Sequence, residues 1–416
     1  MYQTVRGMRD FYPNEYEKLN YIFKVWNEIS TEYGFRRYDA CIVESLELLK
    51  RKAGEEITDQ IYHFQDKSGR NLALRPEMTP TLARLIIADK SLQFPLKWYS
   101  IPQCFRYERM TKGRKREHYQ WNVDIIGEKS VIAEAEILAI AINALERFGF
   151  DKDKIVVKFN SREVMQEIFR IYDLSENEVM TAFMVLDKFN KVSFDDIQAM
   201  LIEHEFSQIK IDRIMKLFNI NTFEQVEALI EGSDVLNKIQ QFRSYLDFFK
   251  ISEYVKYDIS VVRGLSYYTG IVFEVFDTKG EHRAILGGGR YDNLISSLGG
   301  TFTPAVGFGF GDVVLGNLIS EYNLWQTNEL LVDYYICSTN ESYLSIGVKI
   351  SNNLRQLGYK VYLDYSVAKM SKLLAKASNY RASHCIILDE RDIENNKIMI
   401  KNLNTRETIF KDINSF

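Results

Sequence analysis

The spacing of hydrophobic residues changes along the chain, and these changes predict how it is organised. In residues 15–33 apolar side chains recur every three or four positions, which predicts an amphipathic helix. Residues 36–160 alternate short strand patterns with helical ones. From about 161 to 250 the spacing is helical, with polar breaks and few strand signals, which predicts a helical insertion. Strand patterns return at 255–312.

The segment beyond about residue 328 alternates strand, helix and strand patterns in quick succession. This alternation is typical of a small α/β domain with a mostly parallel sheet. At 416 residues the chain is too long for a single core, so several domains are expected. The predicted division is a first domain in two parts, 1–160 and 251–325, a helical insertion, 161–250, and a C-terminal domain, 328–416.

Composition and cysteine spacing restrict the class of protein. Hydrophobic residues make up 46% of the chain and charged residues 26%, as in ordinary globular proteins. There is no long apolar run and no apolar signal core at the N-terminus, so neither a membrane span nor secretion is expected. The four cysteines are far apart and the histidines show no paired spacing. This favours reduced core thiols in a cytoplasmic protein without a structural metal.

A cationic loop between two strand patterns is the strongest candidate for a binding site. Residues 106–116 carry six cations in a chain with a formal net charge of -4: Arg106, Arg109, Lys112, Arg114, Lys115 and Arg116. The flanking patterns CFRYE and YQWNVDI place this charge at the tip of a hairpin. A local excess of positive charge on an acidic chain indicates a polyanion site, although a solvated charged turn has the same pattern.

The two strands of this hairpin also place polar side chains on one face. Period-2 alternation puts Arg106 and Glu108 on the same side of the outgoing strand. On the returning strand it does the same for Gln120, Asn122 and Asp124. The hairpin therefore offers an arginine for phosphate, a carboxylate for a donor, and an amide–carboxylate pair.

Two distant segments carry further candidates. In LRPEMTPTLAR, Glu77 follows a strand, and Thr79 is the predicted helix N-cap with Pro80 at the first helical position. Glu77 can bind an ammonium group, or can be a carboxylate favoured by the helix dipole. In VVRGLSYYTG, Arg263 ends an apolar strand, where its fork suits phosphate or carboxylate; an ion pair with Glu274 is the alternative.

Two short motifs, LGGGRYDNL and KMSK, are not interpreted as nucleotide-binding loops. LGGGRYDNL lacks both common phosphate-loop patterns, so its glycines are interpreted as allowing close backbone approach to a small ligand that Tyr291 reaches. The KMSK tetrapeptide at 369–372 matches the nucleotide loop of Rossmann-type synthetases. It begins a helix with an ordinary buried stripe and has no HIGH-like partner, so we interpret it as solvated helix surface.

Taken together, these segments resemble a known family. FRYERMTKGRKREHYQ resembles motif 2 of class II aminoacyl-tRNA synthetases, and RGLSYYTG and GGGRYDNL resemble two segments peculiar to histidyl-tRNA synthetases. RGMRDFYP and LRPEMTPTLAR fit the same order, so that the resemblance covers essentially the whole chain. It implies an α+β catalytic domain on an antiparallel sheet, with a helical insertion and a C-terminal α/β anticodon-binding domain.

The resemblance also implies a reaction and its partners. Histidine would attack the α-phosphate of ATP, with Mg²⁺ bridging the phosphates, and the histidyl group would then pass to the terminal adenosine of tRNA-His. A homodimer is the expected assembly. Displacement at phosphorus needs charge neutralisation and alignment more than a covalent protein group.

Site residues follow from the resemblance position by position. Arg106 and Arg263 would be the catalytic pair on the α-phosphate, Glu108 would contact the adenine amino group, and His118 would stack on adenine. Arg114 would meet ATP phosphates or, with Arg116, the tRNA acceptor end. The implied histidine-binding residues are Glu77 for the α-ammonium, with Thr79, Gln120, Asp124, Arg263, Tyr267, Tyr268 and Tyr291.

Four positions depart from the family pattern. Val314 stands near the place of the motif 3 arginine, so that Arg114 or Arg290 would have to substitute, or nucleotide binding would be weaker. Cys41 replaces the motif 1 proline, which affects the expected dimer contact. The other two departures are Ser266 for an aspartate and Met78 for a glycine.

Two rival functions are compatible with parts of the sequence. A catalytically silent paralogue that serves as the histidine-binding regulatory subunit of ATP phosphoribosyltransferase would explain Val314 and Ser266. The Arg106–Glu108 pair, the full cationic loop and an anticodon-type domain argue against it. A nucleic-acid-binding module without catalysis leaves the group of Glu77, Gln120 and Asp124 unexplained.

Overall fold

The structure is a computed structural model that describes residues 2–50, 59–111, 113–186, 188, 192–261, 268–326 and 331–415. The chain forms two compact units, Met1–Trp325 and Gln326–Phe416. The predicted boundaries within the first unit stay predictions. Among the described helices, none is long and apolar enough to cross a membrane.

A large sheet with mainly antiparallel pairing organises the first unit. Its strands, together with those of a small three-stranded sheet, are β1 (Arg36–Arg37), β2 (Val43–Ser45), β3 (His63–Gln65), β4 (Asn71–Leu74), β5 (Leu96–Ser100), β6 (Gln103–Phe105), β7 (Glu117–Ile126), β8 (Ile155–Ser161), β9 (Val255–Tyr257), β10 (Ile271–Asp277), β11 (Leu286–Arg290) and β12 (Ala305–Gly311). The large sheet has the order β1-β5-β7-β12-β11-β10-β8-β9, and β6 pairs with β7; the small sheet has the order β2-β4-β3. Only the β1–β5 and β8–β9 pairs are parallel in the large sheet.

The helices of the first unit lie between these strands. They are α1 (Pro13–Glu32), α2 (Leu46–Lys50), α3 (Thr79–Ala88), α4 (Ile132–Arg147), α5 (Arg162–Ile171), α6 (Glu176–Leu186), α7 (Phe194–Glu203), α8 (Gln208–Leu217), α9 (Phe223–Leu229), α10 (Asp234–Phe248), α11 (Leu294–Ser297) and α12 (Asp312–Glu321). Six of them, α5 to α10, follow one another between β8 and β9. Capping boxes at Ser193 and Thr222 start α7 and α9.

One face of the large sheet carries the core. Helix α4 packs on β7 and β12, α1 lies beside it, and α12 packs on α1 and β7. Trp26 from α1 stacks on Trp121 from β7 with ring centroids 5.9 Å apart, and both are fully buried. Because side chains alternate along a strand, burial of Trp121 on this face turns Gln120 and Asn122 to the opposite face. The core therefore fixes which side of β7 can form a site.

Helix α3 begins one residue earlier than its predicted cap requires. Thr79 is the first helical residue, and the N-cap is Met78, which makes no side-chain cap hydrogen bond. The prediction of Thr79 as N-cap is therefore wrong by one position. Met78 is fully buried against Arg75, so packing holds this helix start instead of a capping side chain.

The second unit confirms the predicted α/β class but not the mostly parallel sheet. Its elements are β13 (Val332–Ser338), α13 (Leu344–Gln356), β14 (Val361–Val367), α14 (Met370–Asn379), β15 (Ala382–Leu388), α15 (Glu390–Glu394), β16 (Lys397–Asn402) and β17 (Thr408–Asp412). The order is β14-β13-β15-β16-β17, and β13 is parallel to both neighbours. The β15–β16 and β16–β17 pairs are antiparallel, because short connections suffice for such pairs.

Candidate active site

A small cavity opens on the face of the large sheet that is opposite α4. Its volume is about 90 Å³. The residues that line it are Glu77, Thr79, Gln120, Asn122, Asp124, Tyr268, Gly287, Tyr291, Gly307, Phe308 and Gly309. Six predicted histidine-binding residues therefore meet here, although they come from four separate segments. Arg263 and Tyr267 lie outside the described residues.

Glycines of β12 make room for the polar side chains of β7. Gly307 is paired with Asp124, and Gly309 with Asn122, in the antiparallel register. A Cβ atom on Gly307 would collide with Asp124 Oδ1, and one on Gly309 would collide with Gln120 Nε2. Sequence reasoning missed both residues, although the alternation in GFGFG is the signal of one glycine-only face of a strand.

The glycines of LGGGRYDNL lie within a strand and not in a ligand-binding loop. Gly287 lines the cavity. A Cβ atom on Gly288 would collide with the backbone of Gly307, and one on Gly289 would lie 2.6 Å from the Ile271 carbonyl oxygen. Close approach of neighbouring strands therefore explains Gly288 and Gly289, and the sequence interpretation of these two as a ligand approach is wrong.

Asp124 and Tyr291 form the buried end of the cavity. The Tyr291 hydroxyl donates a hydrogen bond to Asp124 Oδ1. Burial raises the pKa of Asp124 to about 7, and the hydrogen bond from Tyr291 opposes that rise. Such a carboxyl can hold or release a proton near neutral pH, which suits recognition of an imidazole ring.

Glu77 and Tyr268 both line the cavity, and burial and neighbouring charges shift the pKa of each. Burial raises the pKa of the Glu77 carboxyl, and the charge of Arg106 lowers it. Burial also raises the pKa of Tyr268, and the charges of Glu77 and Asp124 raise it further. Arg106 is thus close enough to Glu77 to stabilise its ionised form.

The cationic loop is a tight extension beyond β6 and β7. The pattern CFRYE predicts that Arg106 and Glu108 lie in the outgoing strand. This is wrong, because β6 ends at Phe105 and both residues lie past it. They still meet, with Arg106 Nη1 3.9 Å from Glu108 Oε1. The Arg114 guanidinium lies 2.9 Å from the other Glu108 oxygen. Arg106 Nε also donates to the Pro76 carbonyl oxygen at 2.9 Å, which ties the loop to the Glu77 segment.

Arg116 is held differently from Arg114. Its guanidinium lies 3.8 Å from the centre of the Tyr107 ring and donates to the carbonyl oxygens of Glu108 and Arg6. Its backbone N–H donates to the Gly7 carbonyl oxygen at 2.9 Å. Arg116 therefore joins the loop to the N-terminal segment, and its predicted contact with tRNA stays a prediction.

His118 lies at the base of this loop as a neutral ring. Burial lowers its pKa to about 3, and the charges of Arg106 and Arg9 act in the same direction. An uncharged imidazole is suited to stacking on a purine. Among the described residues, no group of three or more His, Cys, Asp or Glu side chains is arranged to hold a metal ion.

Comparison with known proteins identifies the family. The model described as Histidyl-tRNA synthetase matches residues 7–311, and the one described as Anticodon binding domain matches residues 333–416. The chain belongs to the histidyl-tRNA synthetase family. The chloroplastic/mitochondrial histidine–tRNA ligase of Arabidopsis thaliana is 38% identical, over 97% of this chain and 83% of that protein.

Solved structures of the histidyl-tRNA synthetase family share the fold. A histidyl-tRNA synthetase from Nostoc sp. PCC 7120 aligns with a TM-score of 0.81 and 21% identity, over 100% of this chain and 98% of that one. A protein from Bacillus halodurans C, titled an ATP phosphoribosyltransferase regulatory subunit/histidyl-tRNA synthetase, aligns with a TM-score of 0.78 and 24% identity, over 94% and 98% of the two chains.

The structure excludes one of the two cations considered as substitutes for the motif 3 arginine of this family. Arg290 is 1% exposed, and its guanidinium donates to both Glu134 carboxylate oxygens at 2.6 Å. It also binds Asp292 and two carbonyl oxygens, so it anchors the Tyr291 segment and cannot turn to a nucleotide. Val314 is also buried, next to Gly113 of the loop.

Another cation near this place was missed by sequence reasoning. Arg9 binds Glu117, the first residue of β7, and Asp312, the first residue of α12. Its partners are 108 and 303 residues away along the chain, so no local pattern could have found them. The departures at Cys41 and Ser266 have no structural account here: Cys41 is exposed, with the Arg84 guanidinium 3.9 Å from its sulfur, and Ser266 lies outside the described residues.

Proposed function

We propose that this protein is a histidine–tRNA ligase that activates histidine with ATP and transfers it to tRNA-His. The observation that carries the proposal is the cavity, in which Glu77 and the Asp124–Tyr291 pair line one space beside Arg106. It offers an anion for an ammonium group, a proton-exchanging carboxyl for an imidazole, and a cation for phosphate. These are the three chemical groups that must meet when histidine is adenylated.

In this proposal histidine lies with its α-ammonium at Glu77 and its ring at Asp124, Tyr291 and Gln120, with Tyr268 and Thr79 on the cavity wall. Its carboxylate then faces Arg106, which neutralises the α-phosphate; the resemblance gives Arg263 the same role. ATP would enter as its magnesium complex, in which the metal would supply further neutralisation of the phosphate charge. Its adenine stacks on His118, and the exocyclic amine donates to Glu108.

The chemistry needs no covalent protein intermediate. A carboxylate oxygen of histidine attacks the α-phosphorus, and the bond to pyrophosphate breaks. A ribose hydroxyl of the terminal adenosine of tRNA then attacks the activated carbonyl, and AMP leaves. The protein aligns the reactants and places cations where negative charge accumulates, which are the main sources of acceleration in such displacements.

Histidine-dependent ATP–pyrophosphate exchange, followed by charging of tRNA-His, tests this function. We expect exchange with histidine and none above background with other amino acids. A folded protein that binds histidine and shows no exchange would instead be a regulator of the ATP phosphoribosyltransferase type, the reading that Val314 favours. The two functions therefore give opposite results in one assay.

We also propose that the protein is a cytoplasmic homodimer. The β2–β4–β3 sheet supports an interface, because Ile42, Val43 and Phe64 are exposed there although they are apolar. Light scattering coupled to size-exclusion chromatography measures the assembly, and a mass near 48.7 kDa would contradict the dimer. The four free thiols are compatible with a reducing compartment.

A further inference from the structure

An ion-pair cluster joins the N-terminus to the two elements that flank the predicted nucleotide site. Arg9 Nε lies 2.5 Å from Glu117 Oε1, and its Nη2 lies 3.2 Å from the second oxygen of that carboxylate. Arg9 Nη1 donates to Asp312 Oδ2 at 2.8 Å. Both carboxylate side chains are 2% exposed, whereas Arg9 is 21% exposed. The arginine thus uses its whole planar fork to hold two buried anions together.

This cluster fixes the strand on both sides of His118. Glu117 directly precedes His118 and also accepts a hydrogen bond from Gln103 Nε2 at 3.1 Å. Tyr119 directly follows it, and its backbone N–H donates to Asp312 Oδ1 at 2.8 Å. Arg9 therefore controls, through one residue on each side, the position of the ring on which adenine is proposed to stack.

The same N-terminal segment also holds the cationic loop. The Gly7 carbonyl oxygen accepts from the Arg116 backbone N–H, and the Arg116 carbonyl oxygen accepts from the Arg106 N–H at 3.0 Å. Gly7 has φ +89°, and a Cβ there would lie 2.7 Å from Arg116 Cδ. Glycine is needed at this position, so that the segment can lie against the loop.

The ion-pair cluster also determines the net charge beside the proposed nucleotide site. Burial raises the pKa of Asp312, and the charge of Arg9 lowers it. Burial lowers the pKa of Arg9, but the two carboxylates outweigh it and raise the pKa overall. Without Arg9, two buried carboxylates would remain beside the strand that carries His118, and a polyanionic nucleotide would be repelled. Asp312 is also the first residue of α12, the helix in which Val314 stands where the family has an arginine.

We propose that Arg9 is a positioning residue for ATP: it fixes His118 and the base of the cationic loop, and it neutralises the anions at the start of α12. This rests on the proposed nucleotide site. Arg9 thus performs, from the N-terminal segment, part of the charge compensation that α12 lacks at Val314.

The test compares Arg9→Met and Arg9→Lys with wild type. Arg147→Met is the matched control, because Arg147 also pairs with two carboxylates, Glu28 and Glu32, at the end of α4. In Arg9→Met we expect the KM for ATP in pyrophosphate exchange to rise about tenfold or more, as positional errors of this kind do. The KM for histidine should change much less, Arg9→Lys should recover part of the loss, and Arg147→Met should leave both constants unchanged.

Two further measurements keep the test decisive. Titration calorimetry gives the ATP affinity directly, so that a wild type without exchange activity would contradict the proposed function and leave the Arg9 comparison intact. NMR titration of His118 should show its pKa rising in Arg9→Met, because one of its two repelling cations is gone. An unchanged ATP affinity together with a lower Tm would show that Arg9 only stabilises the fold and would overturn the proposal. If Arg9→Met does not fold, Arg9→Lys decides the test: it keeps the charge but cannot hold both carboxylates through a planar fork, so its ATP affinity should be lower than in wild type, and an equal affinity would overturn the proposal.

Discussion

The cavity and the cationic loop form one proposed active site, but they are built in different ways. In the cavity, Asp124 already has its hydrogen-bond partner Tyr291; Asp124 lies in β7, and Tyr291 directly follows β11. In the loop, Arg106 and Arg114 both contact Glu108, the carboxylate proposed to bind adenine. In the proposed function, histidine would therefore enter a preformed space, whereas ATP would have to exchange ion pairs within the loop. Specificity would be set by the first region, and nucleotide binding would break contacts in the second.

The largest effect should come from filling the cavity floor. Gly307→Ala places a methyl group on Asp124 Oδ1, between backbones that cannot separate without breaking the β7–β12 pairing. We expect the KM for histidine to rise by about two orders of magnitude, since misplacing a binding group by about 1 Å has effects of this size. Pyrophosphate exchange at varied histidine concentration measures it.

The same strand offers the control for this substitution. Apart from its chain neighbours, none of the described residues has an atom within 4 Å of a Cβ built on Gly311, so Gly311→Ala should leave the KM for histidine unchanged. Equal effects of both substitutions would show that strand flexibility, and not space for Asp124, makes glycine necessary here.

A second prediction concerns the proton on Asp124. Burial raises the pKa of Asp124 in the folded state to about 7, above its ordinary value of 3.8. The folded state therefore binds this proton more tightly, and ionisation of Asp124 lowers stability as pH rises from about 4 to about 7. Asp124→Asn removes that loss while its amide oxygen can still accept from Tyr291. The variant should gain stability relative to wild type between pH 5 and pH 8, on the order of 2 kcal/mol.

Urea unfolding at the two pH values measures this difference. Tyr291→Phe is the companion variant, because it removes the hydrogen bond that favours the ionised form of Asp124. It should make the pH dependence of stability steeper than in wild type. A difference between wild type and Asp124→Asn that does not vary with pH would show that Asp124 is ionised throughout.

Local patterns predicted elements and individual residues of the site well, and long-range contacts poorly. Helix α3 begins at Thr79, one residue before the predicted first helical position, and β7 carries Gln120 and Asp124 on one face as alternation requires. Strand β17 was not predicted, because all five of its residues are exposed and none marks a buried face. Arg290 looked available for a nucleotide because nothing near it in sequence indicates Glu134, 156 residues away.

Contacts between distant chain segments distinguish the loop from the cavity. Arg9 has an ordinary place in RGMRDFYP, and only the fold brings it to Glu117 and Asp312. A buried ion pair of this kind depends on which strands and helices meet, and not on any period in the sequence. The residues proposed to bind histidine could be predicted from motifs, whereas those that hold the proposed nucleotide loop in place could not.

The smallest expected effects separate two arginines within the loop itself. Arg114 contacts the Glu108 side chain, and a phosphate of ATP can replace that carboxylate as the partner of the Arg114 guanidinium. Arg116 stacks on Tyr107 and binds two backbone carbonyl oxygens, so its guanidinium is held by contacts within the protein. Arg114→Gln should raise the KM for ATP a few-fold, the worth of one partly exposed charge pair. Arg116→Gln should lower Tm, because it loses packing and hydrogen bonds, and should leave the KM for tRNA-His within about twofold, the scale of one exposed charge. If Arg116→Gln weakened tRNA binding at unchanged Tm, the loop would present both arginines to its substrates, and the contrast between a substrate-facing cation and a structural one would fail.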